Sequence, residues 1–249
     1  MRSNRQALKD MARILAERAA GLSAQGLLAL VYQTLGEDIA MATSLSPEDQ
    51  VLTDMLCSVQ ANPRIFTIDT GRLPQQTYDL IDRTCRHYGI KIRFFLPQAA
   101  AVERMVNAYG PNLFYESVQL RRRCCYIRKV EPLRRALKGL KAWICGLRTG
   151  QSVTRLNIRP ISWDAEHDLI KICPLADWTI RQVWQYIQEH RVPYNQLHDH
   201  GYASIGCAPC TRPIQPGEDI RAGRWWWEPP EQKECGLHIA EKIAEKKER

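Results

Sequence analysis

The spacing of apolar residues changes between helical and strand-like periods along the first two-thirds of the chain. Two amphipathic helices are predicted at the start, over 6–20 and 23–35, and Ser23 is a suitable N-cap for the second. Buried strands are predicted by four short apolar runs, which cover 39–44, 64–68, 91–95 and 142–145. Helices are predicted between the strands after Pro47, over 75–88, around 98–108 and following the cysteines near 125.

Strands that alternate with helices of about 10 to 15 residues predict an α/β fold with a mostly parallel, doubly wound sheet. Ligands of such sheets bind beyond the carboxyl ends of the strands. Those ends are polar or glycine-rich here, as a phosphate or nucleotide site requires, at Ser44, Asp69–Arg72 and Gly146–Arg148.

The C-terminal part of the chain has a different composition. Residues 194–230 are rich in Pro, Gly, His and Trp, which predicts an irregular lobe. We expect one domain over 1–235 and a charged, flexible tail over 236–249.

The overall composition is that of a globular chain with an excess of positive charge. Its 249 residues are enough for one large α/β domain, and 35 basic against 27 acidic residues give a net charge of +8. Such an excess fits a nucleic acid or a small polyanion as ligand. No run approaches about 18 consecutive apolar residues, and the polar N-terminus lacks the apolar core of a secretion signal. The expected compartment is therefore the cytoplasm, without membrane association.

Nine cysteines in a reducing compartment indicate metal binding or catalysis rather than disulfides. Four of them form two pairs, the adjacent Cys124-Cys125 and the loop Cys207-Ala208-Pro209-Cys210. Adjacent thiolates rarely fit one tetrahedral zinc without strain, whereas an iron–sulfur cube offers each sulfur its own iron. We therefore expect an iron–sulfur cluster here, with a structural zinc or a redox disulfide as alternatives. Ordinary small core residues are predicted at Cys57, Cys85, Cys145 and Cys173.

Cationic residues near these cysteines predict an anion site. Lys129 follows Cys125 by four positions, so on a helix the two would share a face, although a solvated basic face is the alternative. Arg221 and Arg224 precede the run Trp225-Trp226-Trp227. This run fits either stacking on a nucleic acid or packing of the tryptophans against the domain, with the arginines over an anion pocket.

The cysteine pairs, together with Glu234-Cys235-Gly236-Leu237-His238, resemble the signature of assimilatory adenylyl-sulfate (APS) reductases. The resemblance extends over about residues 38 to 240. It includes Asp69-Thr70-Gly71-Arg72-Leu73, Ile127–Leu133, Pro193-Tyr194-Asn195-x-Leu197-His198 and Gly223–Glu228. Phosphoadenylyl-sulfate (PAPS) reductases share the fold and the final cysteine motif but generally lack the two cysteine pairs.

The resemblance implies an adenine nucleotide α-hydrolase-like fold and names the residues of the site. A [4Fe–4S] cluster would be held by Cys124, Cys125, Cys207 and Cys210, and Cys235 would be the catalytic nucleophile. The substrate-binding positions carried over are Ser44, Asp49, Asp69, Gly71, Arg72, Lys129, Arg155, Arg221 and Arg224. The loop from Ser44 to Asp49 departs from the family, which commonly has a glycine before the acidic pair where this chain has Pro47. Proline lacks a backbone N–H, so this position cannot donate a hydrogen bond to an anion.

The implied reaction is reduction of APS to sulfite and AMP in sulfate assimilation and cysteine biosynthesis. Cys235 would attack the sulfate sulfur and expel AMP. Thioredoxin, or a glutaredoxin-like donor, would then release sulfite from the thiosulfonate, without nucleic-acid or membrane partners. The alternatives are a PAPS or dual-specificity reductase, a zinc-bearing nucleic-acid-binding module, and an ATP-using tRNA thiolase on a related fold. The sequence leaves the oligomeric state open, a homo-oligomer included.

Overall fold

The strands of this chain form one mostly parallel sheet. A computed structural model of the protein describes residues 2–151 and 157–229. The strands in these ranges are β1 Ile39–Thr43, β2 Ile65–Ile68, β3 Ile92–Phe95, β4 Ala142–Ile144, β5 Ile161–Asp164 and β6 Leu169–Ile172. Their order in the sheet is β3-β2-β1-β4-β6-β5. β1 pairs in parallel with β2 and β4, β4 pairs in parallel with β6, and β5 is antiparallel to β6. The predicted fold class is confirmed.

Helices alternate with these strands along the described residues. The α-helices are α1 Arg2–Arg18, α2 Ala24–Leu35, α3 Pro47–Val59, α4 Gln75–Tyr88, α5 Ala99–Tyr109, α6 Val118–Cys125, α7 Glu131–Leu137 and α8 Ile180–His190. Short 3₁₀ turns cover Leu113–Tyr115, Gln196–His200 and Ala208–Cys210. A π-helical segment, Tyr126–Val130, joins α6 to α7.

Local capping signals explain where several helices begin. Ser23 accepts a hydrogen bond from the Gly26 amide at 3.1 Å, as expected for the N-cap of α2. Ser46 accepts one from the Asp49 amide at 3.2 Å, and Pro47 occupies the first position of α3. Proline is well tolerated there because the first helical N–H has no intrahelical partner.

Two features of the chain differ from the prediction. The helix predicted after the cysteines is present, but it begins as the π-helical segment that precedes α7, and α6, which ends at Cys125, was not predicted. The pattern also did not predict β5, β6 or α8. The antiparallel pair β5–β6 depends on contacts with β4, which a local pattern does not reveal.

The chain divides into two compact units built from interleaved segments. The first unit comprises residues 1–67, 75–93 and 137–196, and the second comprises 68–74, 94–136 and 197–249. The core of the first unit contains Leu28, Val31, Met41, Leu52, Ile144 and Ile170. Apolar residues around the cysteine pairs form a smaller core in the second unit, with Met105, Leu113, Phe114 and Trp225.

The predicted boundary between a domain ending at 235 and a tail beginning at 236 lies outside the described residues. It therefore stays a prediction. No helix in the described part of the chain is long and apolar enough to cross a membrane.

Candidate functional site

The four candidate cluster ligands line one pocket of the second unit. Cys124 and Cys125 lie at the end of α6, while Cys207 caps a 3₁₀ turn that ends at Cys210. Their side chains are 9%, 6%, 9% and 8% exposed, respectively. The structure thus brings together two cysteine pairs that are far apart in the sequence. We call this pocket, defined by the four cysteines, the cysteine basin.

The π-helical segment after α6 directs positive charge into the cysteine basin. Ser117 caps α6 by accepting a hydrogen bond from the Leu120 amide at 3.2 Å. Arg128 and Lys129 follow in the π-helical segment, and both line the pocket. Lys129 therefore follows Cys125 through a π-helical turn, which is wider than the α-helical turn expected from the sequence. Single π turns of this kind are frequent at functional sites.

The strand-end segment Asp69–Arg72 is bound to both cysteine segments. Thr70 Oγ1 lies 3.3 Å from Cys207 Sγ, and the Thr70 carbonyl accepts a hydrogen bond from Arg128 Nη1 at 2.6 Å. The Arg72 carbonyl accepts another from the Ala208 amide at 2.8 Å. Two of these contacts use backbone carbonyls of the segment, so they brace the basin whatever its side chains bind.

The glycine of this segment is required by its conformation and by its neighbour. Gly71 has a φ of +69°, which favours glycine, and its amide donates to Asp69 Oδ1 at 2.8 Å. A Cβ at this position would lie 3.4 Å from Arg128 Nη1. Gly71 therefore lets the guanidinium of Arg128 approach the backbone.

Burial and nearby cations act in opposite directions on the thiols. Burial raises the pKa of Cys210 to about 12, with a further contribution from Cys207, against the opposing charges of Lys129 and Arg224. Burial also raises the pKa of Cys124, while Arg128 acts to lower it. Both shifts favour the neutral thiol over the thiolate, which is the form that would bind a metal.

A buried ion pair lies against the basin. Arg121 is fully buried and binds Glu228 in a bidentate manner, with Nε–Oε1 and Nη2–Oε2 distances of 2.9 and 2.6 Å. Burial alone would lower the pKa of Arg121, but the hydrogen bonds and charge of Glu228 raise it. The guanidinium also interacts with the Cys125 thiol and lies 4.6 Å from the centre of the Trp225 ring. No local pattern in the sequence indicates this pair.

The tryptophan run is divided between the core and the surface. Trp225 is 1% exposed and has a φ of 42°, an unusual conformation for a bulky residue, whereas Trp226 is 39% exposed. The guanidinium of Arg224 lies 4.8 Å from the Trp225 ring centre and against Gly206, where any Cβ would overlap it. Arg221 lies on the same ring at 5.9 Å. Both arginines named from the sequence are thus held close to the basin wall.

The donor set of the basin fits an iron–sulfur cluster. Within the described residues, the buried donor atoms of the second unit that have no hydrogen-bond partner include Arg128 Nε, Arg224 Nε, Trp225 Nε1 and Trp227 Nε1. In the same part of the chain, no group of three or more His, Cys, Asp or Glu side chains is placed to hold a single metal ion. Four buried thiols around one pocket, beside donors without a partner, fit a multi-iron group with acceptor sulfides.

A second candidate site lies in the first unit, where β1 and β4 end. Asp49 is 4% exposed, and its Oδ2 accepts hydrogen bonds from the amide and the hydroxyl of Ser44, both at 2.7 Å. Its Oδ1 accepts another from the Gly146 amide at 3.1 Å. Burial raises the pKa of this carboxyl, while the hydrogen bonds from Ser44 act to lower it. Asp49 thus fixes the loop after β1 against the loop after β4.

Two neighbouring contacts hold the loop after β4. Arg148 and Glu48 form a buried ion pair with an Nε–Oε1 distance of 2.8 Å. Gln151 donates from Nε2 to the Gly146 carbonyl at 2.9 Å. The position of Pro47 at the start of α3 shows why a proline is accommodated in this loop, since its missing N–H would have no helical partner.

Two of the residues named from the sequence, Arg155 and Cys235, lie outside the described residues. Asp69 and Arg72 belong to the segment that braces the basin. Arg72 donates from Nη2 to Asn112 Oδ1 at 3.2 Å and also to the Pro111 carbonyl.

Comparisons with known proteins agree on one family. The phosphoadenosine phosphosulfate reductase domain matches residues 38–213. The adenosine 5′-phosphosulfate reductase of Allochromatium vinosum is 54% identical over 86% of this chain and 84% of its own length. The adenosine 5′-phosphosulfate reductase of Agrobacterium fabrum is 49% identical over 89% of this chain and 85% of its own length.

Solved structures agree with these sequence matches. A phosphoadenylyl-sulfate reductase from Candida auris, in a phosphate complex, aligns with a TM-score of 0.70 at 29% identity, over 82% of this chain and 97% of that one. The FMN adenylyltransferase of Candida glabrata aligns with a TM-score of 0.54 at 14% identity, over 96% of this chain and 89% of that one, and shares the fold alone.

We expect Gly146→Ala to destabilise the protein. The new Cβ would lie 2.5 Å from Asp49 Oδ1 and 3.1 Å from the Asp49 amide. Overpacking of this kind typically costs about 1–3 kcal/mol. The matched control is Gly26→Ala in α2, where the nearest side-chain atom would be 3.4 Å away and loss of a helical glycine favours stability. Urea unfolding measures both, and equal midpoints for the two variants would contradict the close approach at Gly146.

We expect Glu228→Ala to cost about 3–5 kcal/mol of unfolding free energy, because it leaves the Arg121 charge buried without its partner. Glu228→Gln should cost less, since it keeps one acceptor for Arg121. The control is Glu218→Ala, which removes an ion pair to Arg212 whose side chains are 34% and 32% exposed, so a small change is expected. Similar unfolding midpoints for Glu228→Ala and Glu218→Ala would show that the buried pair is not a stabilising element.

Proposed function

This chain belongs to the phosphoadenosine phosphosulfate reductase family, and on that premise we propose that it reduces adenylyl sulfate to sulfite and AMP. The observation that carries the proposal is the cysteine basin, in which four buried thiols are lined by cationic side chains. Relatives of about 50% identity that extend over most of the chain are named adenosine 5′-phosphosulfate reductases. The substrate is a small polyanion, which fits the net charge of +8.

The proposed cofactor is a [4Fe–4S] cluster on Cys124, Cys125, Cys207 and Cys210. When bound, it would supply electrostatic and structural support to the anion site by joining α6 to the turn Ala208–Cys210. The partnerless donors of Arg224 and Trp225 support this assignment, because buried polar groups are rarely left without an acceptor. We do not assign it an electron-transfer step, since thiol exchange already supplies both electrons.

The proposed nucleophile is the thiol of Cys235. Its thiolate would attack the sulfur of the sulfate group, forming an S–S bond and breaking the S–O bond to the phosphate of AMP. The attacking thiolate, the sulfonate and the departing AMP are all anionic. Positive charge therefore contributes most to lowering the barrier, and we assign that part to Lys129, Arg221 and Arg224.

The remaining substrate contacts are assigned by the same resemblance. We propose that Ser44 and Asp49 act in the loop after β1, that Asp69, Gly71 and Arg72 act in the loop after β2, and that Arg155 contributes a further cation. The inward-facing carboxylate of Asp49 supports a positioning role, because it holds the Ser44 amide and hydroxyl at fixed distances.

An external dithiol completes the proposed cycle. Its first thiol attacks Cys235 and releases sulfite, and its second thiol resolves the mixed disulfide, so that the donor leaves oxidised by two electrons. Thioredoxin, or a glutaredoxin-like protein, is the donor that we propose. The cytoplasm, expected from the polar N-terminus and the lack of a long apolar run, remains the proposed compartment.

We expect wild-type protein mixed with APS, without reductant, to gain about 80 Da on the C-terminal peptide and to release an equal amount of AMP. Cys235→Ser should show neither result, whereas the matched variant Cys85→Ser should show both. Peptide mass spectrometry and AMP quantification provide the readouts. An adduct on any other cysteine, or turnover by Cys235→Ser, would contradict the assigned nucleophile, and the same assay with PAPS tests the dual-specificity alternative.

We expect Cys207→Ser to lower the bound iron and acid-labile sulfide of anaerobically purified protein at least severalfold, because one of four ligands is lost. The control Cys57→Ser changes a half-buried cysteine of the first unit and should leave both counts unchanged. Iron and sulfide analysis and the cluster absorbance measure the effect. Zinc without sulfide in the wild-type protein would contradict the cluster and favour the zinc-bearing alternative.

A further inference from the structure

Two cysteines outside the cysteine basin lie side by side in the first unit. Cys145 directly follows β4 and Cys173 directly follows β6. The two strands are parallel neighbours whose last paired residues are Ile144 and Ile172, so the next positions face each other. The two Sγ atoms are 3.6 Å apart. Both cysteines are buried, as expected for core residues, but their pairing was not visible in the sequence.

The geometry of this pair fits a disulfide. Adjacent strands lie about 4.8 Å apart, and the Cα–Cα distances of disulfides fall between about 4.4 and 6.8 Å. The sulfurs already touch, so rotation about the Cα–Cβ bonds has to close the gap from 3.6 Å to about 2.05 Å. No strand has to change its partner for that rotation.

The environment favours one of the two as the reacting sulfur. A hydrogen bond from Cys173 holds the pKa of Cys145 below its usual value, and the charge of Lys171 and the Leu147 amide act in the same direction against burial. Thiolates rather than thiols react with oxidants. Cys145 is also the more exposed of the two, at 7% against 1% for Cys173.

We propose that Cys145 and Cys173 form a redox-modification site, which a hydroperoxide closes to a disulfide and a small dithiol reopens. Cys145 attacks one peroxide oxygen, breaks the O–O bond and becomes a sulfenic acid, with release of water. Cys173 then displaces the sulfenic hydroxyl as a second water and forms the S–S bond. The two sulfurs together lose two electrons, and one molecule of hydrogen peroxide accepts them.

Closure of the disulfide acts on the loop after β4. The amide of the next residue, Gly146, donates to Asp49 Oδ1 at 3.1 Å, and its carbonyl accepts from Gln151. This residue has little room to move toward α3, because even an added Cβ would lie 2.5 Å from the Asp49 carboxylate. A shift of Cys145 toward Cys173 therefore weakens these two hydrogen bonds. As a result, the backbone amides of the loop exchange more easily with solvent.

The first experiment maps the disulfide directly. The purified protein is treated with equimolar hydrogen peroxide, denatured, alkylated and digested for mass spectrometry. We expect a cross-linked pair of peptides containing Cys145 and Cys173, about 2 Da lighter than the sum of the two thiol peptides and separated by dithiothreitol. Full alkylation of both cysteines, or sulfinic acid on either one without a cross-link, would overturn the proposal.

Variants distinguish the two roles. Cys173→Ser should stop the reaction at a sulfenic acid on Cys145, which a cyclic 1,3-dione traps, whereas Cys85→Ser should still give the cross-link. If Cys173→Ser does not fold, Cys145→Ser provides the same test, since Cys173 should then remain a thiol. Trapping of sulfenic acid on Cys173 instead of Cys145 would contradict the assigned order.

Hydrogen exchange tests the effect on the loop. Peptides that contain residues 146–151 should exchange measurably faster in the oxidised protein than in the reduced protein, while peptides from α2 should not change. Equal exchange of the loop in both forms would refute the coupling to Gly146. These measurements depend on neither turnover nor the cluster. A negative result would therefore refute the redox-modification site and leave the proposed function unaffected.

Discussion

Burial of four cysteine thiols next to positive charge is the constraint on which the second unit depends. A thiol removed from water resists ionisation, as the raised pKa values of Cys124 and Cys210 show. Cations within the pocket wall offset that cost, and Arg128 and Lys129 are delivered by a π-helical turn. The cations in turn need acceptors, and Glu228 provides one for Arg121. Other buried donors, such as Arg224 Nε, have no hydrogen-bond partner within the described residues. The cysteine basin therefore carries its own electrostatic compensation.

The same constraint accounts for the irregular structure around the cysteines. A 3₁₀ turn, a strand-end loop and a left-handed Trp225 make few regular backbone hydrogen bonds, so they need specific partners. The Thr70 and Arg72 carbonyls supply some of them, and the Trp225 amide donates to the Cys210 carbonyl at 3.3 Å. Backbone strain of this kind persists only where its surroundings enforce it, and it is frequent at functional sites. These irregular segments are thus fixed by contacts with other segments of the second unit.

Predictability from the sequence differed between the elements. Helix α4 was predicted with its observed bounds, and the N-cap Ser23 was placed correctly because capping acts within one turn of the chain. The π-helical segment was missed because nothing in its local pattern separates it from an α-helix. Strand β5 was missed because its partner, β6, decides whether it is a strand. Arg121 and Glu228 are separated by more than a hundred residues, so their ion pair left no local signal.

The sequence by itself determined the α/β class, the capped helix starts and the cysteine spacing that resembles one reductase family, because these depend on residues close together in the chain or on motifs. Only the tertiary structure decided that the Asp69–Arg72 segment braces the cysteines, that the Asp49 carboxylate faces inward, and that Cys145 and Cys173 touch. Each of these depends on which strands become neighbours and on how burial pairs distant polar groups. That choice is made by packing of the whole chain, and no local pattern contains it.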